Sequence, residues 1–213
     1  FLYKSAMSIL NQKTIKEKIT INGIGLHTGQ RAQINLIPSA PNTGITFKRT
    51  DLNKNNLITP TFDNVTETNL CTTLSNEHGI KVSTVEHLMG ALYGLGIDNL
   101  LVETNSQELP ILDGSAKIFV EKILSSGIKS SSSPIKLIKI NKKVSYSEGL
   151  KTISIDVSKV SSEIDFEIKY SNKVIANQRS KINIFNDELN DIFEARTFCL
   201  YEDVEKLRNN GLA

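Results

Sequence analysis

Apolar and polar residues alternate over much of residues 13–50, most clearly in KTIKEKITI and AQINLIP. A period of two turns one face of each segment toward a core, which predicts β-strands. The spacing changes over residues 83–96, STVEHLMGALYGLG, where apolar residues recur every three or four positions and predict a helix with one apolar face. The members of that face are Val85, Leu88, Leu92 and Leu95.

A second helix is predicted over residues 116–124, where apolar residues again share one face. Strands are then predicted in LIKI, TISIDVS and IDFEIKY, a short helix over residues 190–194, and an amphipathic helix from residue 201 toward the final GLA. Both halves place strands before helices. We therefore predict the α+β class, with two similar two-layer α/β sandwich domains packed together.

The segment GIKSSSSPIK separates the halves. Four consecutive serines between a glycine and a proline are typical of a flexible connector, so we predict a linker over residues 127–135. The remaining chain then divides into an N-terminal extension (1–12), a first domain (13–126) and a second domain (136–213). Met7 is an alternative start, which would make residues 1–6 an addition.

Composition narrows the functional class. Hydrophobic residues make up 39% and charged residues 23%, which is ordinary for a globular protein, and the net charge of +2 gives no electrostatic footprint for nucleic acid. No apolar run approaches the roughly 18–20 residues that span a bilayer. The two cysteines, Cys71 and Cys199, lack C-x-x-C spacing, which fits a reducing, cytoplasmic setting.

The most distinctive chemistry is the adjacent pair Glu86–His87 at the start of the first predicted helix. Ser83 is predicted to cap this helix, with Glu86 completing an S-x-x-E capping box. Neighbouring helical side chains diverge by about 100°, so the pair cannot easily hold one metal ion together. His87 can bind a metal while Glu86 reaches a water molecule, or Glu86 can be only a capping partner and His87 a half-buried imidazole.

Two turns carry further candidates. His27 lies in GIGLHTG, either as a polar residue at a hairpin tip or in a glycine-flanked loop that approaches a ligand closely. Asp113 precedes Gly114 and Ser115 just before the second predicted helix, and is interpreted as a turn or capping residue.

Six motifs in one order, GIGLHTG, NTGITFKRTDL, LCTTL, STVEHLMGALYGLGIDNLLVE, ELPILDGSA and EARTF, closely resemble the bacterial UDP-3-O-acyl-N-acetylglucosamine deacetylase family. The resemblance implies a cytoplasmic zinc amidase that removes the acetyl group from its UDP-sugar substrate. This is the committed step of lipid A synthesis in Gram-negative bacteria. It also implies an active site between two α+β domains, and proximity to a membrane surface through the acyl chain of the substrate.

Residue by residue, the resemblance assigns His87 to the Zn2+ and Glu86 to the general base, and it gives Thr197 the hydroxyl that stabilises the oxyanion. Four further positions resemble residues near the metal or the substrate. They are His27, Leu70, Cys71 and Phe198.

The family pattern also includes a histidine and an aspartate as further zinc ligands and a later catalytic histidine. The only histidines of this sequence are His27, His78 and His87. We therefore expect an N-terminal fragment with an incomplete second domain, weak zinc binding and negligible turnover. The alternative is a non-enzymatic module that at most binds nucleotide-sugar or a complementing fragment.

Overall fold

The computed structural model describes residues 11–158, 162–184, 187–201, 204 and 208–209. The chain divides into two compact units, of which Lys136–Leu189 forms the second and the described residues before and after it form the first. The predicted division differs, because it assigned residues 190–213 to the second domain. Most of the predicted extension 1–12 and much of the predicted helix after residue 201 lie outside the described residues.

The described residues of the first unit contain ten strands, two helices of ten residues, one short helix and one 3-10 helix. The strands are β1 (Asn11–Ile15), β2 (Ile19–Ile24), β3 (Arg31–Pro38), β4 (Ile45–Arg49), β5 (Leu57–Ile58), β6 (Val65–Glu67), β7 (Thr73–Ser75), β8 (Lys81–Val82), β9 (Leu100–Thr104) and β10 (Ile128–Pro134). The helices are α1 (Glu86–Leu95), α2 (Lys117–Ser126) and α3 (Asn190–Glu194), and the 3-10 helix is Phe62–Asn64.

A five-stranded sheet in the order β2-β3-β9-β4-β5 forms the centre of the first unit. Only β4 and β9 pair in parallel within it. A smaller sheet has the order β6-β7-β8. Alternation along β2, β3 and β9 buries every second side chain, and α1 and α2 contribute their apolar stripes to the same core. The helical members of that core include Leu88, Ala91, Leu92, Phe119, Val120 and Ile123.

The predicted linker is wrong, because residues 128–134 form β10, which pairs antiparallel with β1. The Gln12 side chain also donates a hydrogen bond to the Pro134 carbonyl at 2.8 Å. A serine-rich segment can form a strand as well as a linker, because serine side chains are small. It pairs here because the backbone N–H and C=O groups of β1 require hydrogen-bond partners. The serine run therefore belongs to the first unit.

In the second unit, the described residues form two hairpins. One pairs β11 (Val144–Glu148) with β12 (Lys151–Ile155) across a two-residue turn, and the other pairs β13 (Glu163–Lys169) with β14 (Asn177–Asn183). The predicted strand LIKI is absent, since residues 137–140 have no regular structure. The apolar side chains of these hairpins are largely exposed.

The mixture of helices and sheets confirms the α+β class. The arrangement as two similar sandwiches stays a prediction. Among the described residues, no helix has the length and apolar character that crossing a membrane requires.

Candidate functional site

The helix α1 begins at Glu86, with Val85 as its N-cap residue and no side-chain cap. The prediction that Ser83 caps this helix is wrong. Ser83 instead pairs with residues 107–109, since its N–H donates to the Gln107 carbonyl at 2.8 Å and its carbonyl accepts from the Leu109 N–H at 3.1 Å. These backbone bonds hold Ser83 beside residues 107–109, two positions before the N-cap residue Val85. The chain turns into the helix at Thr84, whose φ is 57°.

The Glu86 carboxylate reaches back to the LCTTL segment. Its Oε2 accepts a hydrogen bond from the Thr72 N–H at 3.0 Å. Next to Thr72, Cys71 is half-buried and Leu70 is exposed with a φ of 64°. The structure therefore places Glu86 against the segment that carries Leu70 and Cys71, two residues predicted to contact the substrate. Both precede Glu86 by more than ten residues in the sequence.

The His87 ring lies half-buried on the helix beside Glu86. Within the described part of the chain, no hydrogen bond of this ring to another residue is found. Gly90, three positions further along the same helix, has no neighbour within 4 Å of where a Cβ would lie. Among the described residues, the nitrogens of His87 therefore have no partner that would compete with a ligand or a metal ion.

His27 lies in the turn between β2 and β3, as the hairpin interpretation predicted. Its ring is not a solvated tip, however. Both ring nitrogens are buried and, in the described structure, have no hydrogen-bond partner. Buried imidazole nitrogens normally find a partner, so this ring is a candidate for contact with a bound molecule.

Glu108 holds this turn and was not singled out by the sequence analysis. Its carboxylate is fully buried and accepts hydrogen bonds from the His27 N–H (2.9 Å), the Thr28 N–H (2.8 Å), the Thr28 hydroxyl (2.7 Å) and the Thr84 hydroxyl (3.0 Å). Burial raises the pKa of Glu108, but these hydrogen bonds outweigh burial and hold the pKa below its ordinary value. The available signal was an acidic residue directly before the apolar run Leu109–Pro110 in ELPILDGS.

The EARTF segment lies against the turn before α2. The Thr197 N–H donates to the Gly114 carbonyl at 2.9 Å, and the Arg196 guanidinium contacts both the carbonyl (3.0 Å) and the carboxylate (3.2 Å) of Asp113. Asp113 also accepts hydrogen bonds from the hydroxyl and N–H of Ser115, which confirms its interpretation as a turn residue. The Ser115 hydroxyl and Arg196 lower the pKa of Asp113. Thr197 and Phe198 are both exposed.

The candidate residues therefore do not form a complete metal site within the described part of the chain. Across residues 11–158 and the later described segments, no group of three His, Cys, Asp or Glu side chains is placed to hold a metal ion. A catalytic zinc ion needs about three protein ligands. His87 can supply one of them, so the described residues do not by themselves fit a complete zinc centre.

Comparison with known proteins finds similarity to one enzyme family along nearly the whole chain. A family model described as UDP-3-O-acyl N-acetylglycosamine deacetylase matches residues 12–213. The UDP-3-O-acyl-N-acetylglucosamine deacetylase of Haemophilus ducreyi is 38% identical over 211 residues, covering 96% of this chain and 68% of the relative. The corresponding proteins of Actinobacillus succinogenes (39%; 96% and 68%) and Shewanella halifaxensis (40%; 95% and 67%) are similar to the same degree. This chain belongs to the UDP-3-O-acyl-N-acetylglucosamine deacetylase family.

Proposed function

We propose that this chain takes part in hydrolysis of the N-acetyl group of UDP-3-O-acyl-N-acetylglucosamine, with release of acetate. The names of its relatives supply the substrate and the reaction. Within that proposal the reaction is the committed step of lipid A synthesis in the cytoplasm of a Gram-negative bacterium. The observation that carries it is the Glu86–His87 pair. The Glu86 carboxylate is fixed by the Thr72 N–H, and the adjacent His87 imidazole has no hydrogen-bond partner in the described part of the chain.

Glu86 is proposed as the general base. Its Oε2 is oriented by Thr72 at 3.0 Å, so the carboxylate can accept a proton from an attacking water molecule without first being ordered. Glu86 is also the first residue of α1, so its carboxylate lies at the N-terminal end of the helix.

Thr197 is proposed to donate its hydroxyl to the oxyanion that forms on the acetamide. The hydrogen bond from its own N–H to Gly114 fixes the backbone, and the residue itself is exposed. Leu70, Cys71, Phe198 and His27 are proposed to contact the substrate.

His87 is proposed as one ligand of a Zn2+ ion. Since the described residues supply no group of three donors, we also propose that the 213-residue chain alone binds zinc weakly and releases negligible acetate. The same observation favours a second candidate function, a non-enzymatic module that binds the nucleotide-sugar or a complementing fragment.

Acetate release from UDP-3-O-acyl-N-acetylglucosamine tests the proposal. The chain is assayed alone and as a chimera that carries the part of the Haemophilus ducreyi relative outside the match. We expect acetate from the chimera only, and a loss of about 10²- to 10⁴-fold in kcat for Glu86→Gln. The control is Glu77→Gln, which changes an exposed glutamate in a turn and should leave turnover unchanged.

Turnover that survives Glu86→Gln in the chimera would show that Glu86 is not the base. If the chimera binds the substrate but releases no acetate, the deacetylase proposal fails and the binding module is favoured. Acetate from the 213-residue chain alone would contradict the claim that its donors are insufficient.

A further inference from the structure

Glu108 is a buried carboxylate whose stabilisation comes from hydrogen bonds alone. Its side chain has 0% exposure, and in the described structure no Lys, Arg or His side chain forms an ion pair with it. A buried charge is costly unless its lone pairs are satisfied. Four hydrogen bonds satisfy them here, and all four come from two segments that carry candidate site residues.

Each oxygen of Glu108 accepts two of these bonds, but the two oxygens have different partners. Oε2 accepts only from Thr28, through its N–H and its hydroxyl. Oε1 accepts from the His27 N–H and from the Thr84 hydroxyl, so one atom joins the β2–β3 turn to the residues that lead into α1. These partners lie 81 and 24 residues from Glu108 in the sequence.

Thr84 is held in an unfavourable conformation at this junction. It is 3% exposed and has a φ of 57°, a region that β-branched residues avoid. Such a conformation persists only where the surroundings determine it, and the hydrogen bond to Glu108 is one such determinant. Because Glu86 follows two residues later, the direction in which Thr84 leaves the strand sets where α1 begins.

The turn on the other side of the carboxylate is equally constrained. A Cβ atom at Gly25 would lie 2.3 Å from Oε2 of Glu108, which is far closer than any real contact. The backbone of the β2–β3 turn therefore rests directly on the carboxylate and cannot shift without moving it.

We propose that Glu108 is a positioning residue that fixes the β2–β3 turn, with His27, relative to the start of α1, with Glu86 and His87. Its functional meaning rests on the proposed function, in which these three side chains face the substrate or the metal. The coupling itself is a property of the chain alone. It is therefore tested without substrate and without metal, so that its failure is distinct from failure of the deacetylase proposal.

The test uses Thr84→Val, which removes the hydroxyl but keeps the shape of the side chain, with Thr84→Ser as the matched control. The readouts are the imidazole NMR signals of the three histidines and amide hydrogen exchange in the 213-residue chain. His78, in an exposed turn, serves as the internal reference. Glu108→Gln is the second variant. It replaces one carboxylate oxygen with an NH2 group, which cannot accept the hydrogen bonds that the β2–β3 turn donates.

We expect Thr84→Val to shift the His27 signal and to speed exchange of the His27 and Thr28 amides by about tenfold, the value of a lost hydrogen bond to a charged group. Thr84→Ser should restore both, and His78 should not respond. Glu108→Gln should speed exchange in the turn and in the first turn of α1 together. An unchanged His27 signal in Thr84→Val, or a Glu108→Gln effect confined to the β2–β3 turn, would overturn the proposal.

Discussion

The two units use the same alternating sequence pattern with opposite results. In β3, Ile34 and Leu36 are both completely buried. In β13, Ile164 and Phe166 occupy the equivalent alternate positions, yet they are 45% and 64% exposed. Both segments form strands with regular antiparallel partners. The pattern therefore specifies a strand and one apolar face, but it does not specify what covers that face.

The helices of the first unit explain why its apolar strand face is buried. The first unit supplies α1 and α2, whose apolar stripes cover the central sheet. In the second unit, the described residues between 136 and 189 contain two hairpins and no helix. A two-stranded hairpin buries little by itself, so its stability depends on further packing.

Matched isoleucines give the largest expected difference between the units. Ile34→Ala should lower the free energy of unfolding by about 2–5 kcal/mol, because it removes buried methyl groups and leaves a cavity. Ile164→Ala should lower it by less than about 1 kcal/mol, since its side chain already contacts solvent. Urea unfolding followed by circular dichroism measures both. Equal losses would show that the β13 face is buried in solution.

Removing the buried charge should have the next largest effect. Glu108→Gln should cost about 1–3 kcal/mol at pH 7, because at least one donor loses its acceptor in the core. The folded pKa of Glu108 is lowered, so its contribution is complete above its ordinary pKa of 4.5 and is lost as the pH falls through the folded value.

The difference in unfolding free energy between wild type and Glu108→Gln should therefore shrink as the pH falls below about 4.5. Asp165→Asn is the control, since it removes a lowered-pKa carboxylate from an exposed ion pair with Arg179. Its effect should be small. A Glu108→Gln difference that stays constant from pH 7 to pH 3 would contradict the assignment of a stabilising carboxylate.

The smallest effect on stability should come from the exposed face of β13. Phe166→Ser should leave the unfolding free energy nearly unchanged while lowering the fluorescence of a bound hydrophobic dye, because the ring contributes to an exposed apolar surface. Phe47→Ser, at a fully buried position of β4, is the opposite case and should raise dye binding by disrupting the core. Unchanged dye binding in Phe166→Ser would show that this surface is covered.

The sequence predicted those features that depend on local periodicity. The apolar stripe of α1 was found because Leu88 and Leu92 follow the helical period, and both are completely buried. The start of the helix was misplaced because the backbone of Ser83 pairs with residues 107–109, a contact that local capping rules cannot anticipate. Likewise, composition indicated a linker in the serine run, whereas the backbone of β1 recruits it as a strand.

The candidate site shows the same division. Glu86 and His87 stood out because two chemically active residues are adjacent at a predicted helix start. Glu108 could not be assigned, because three of its four hydrogen bonds come from residues about 80 positions away. The contact of Thr197 with Gly114 spans a similar distance and could be anticipated only as two motifs of one family.

Zinc binding to the 213-residue chain tests the central claim, that α1 supplies one metal ligand and one base of a deacetylase site, most directly. Equilibrium dialysis with Zn2+ compares wild type with His87→Ala and with His78→Ala, whose imidazole lies in an exposed turn. We predict weak binding that is lost in His87→Ala and kept in His78→Ala. Tight stoichiometric binding that persists in His87→Ala would contradict the account.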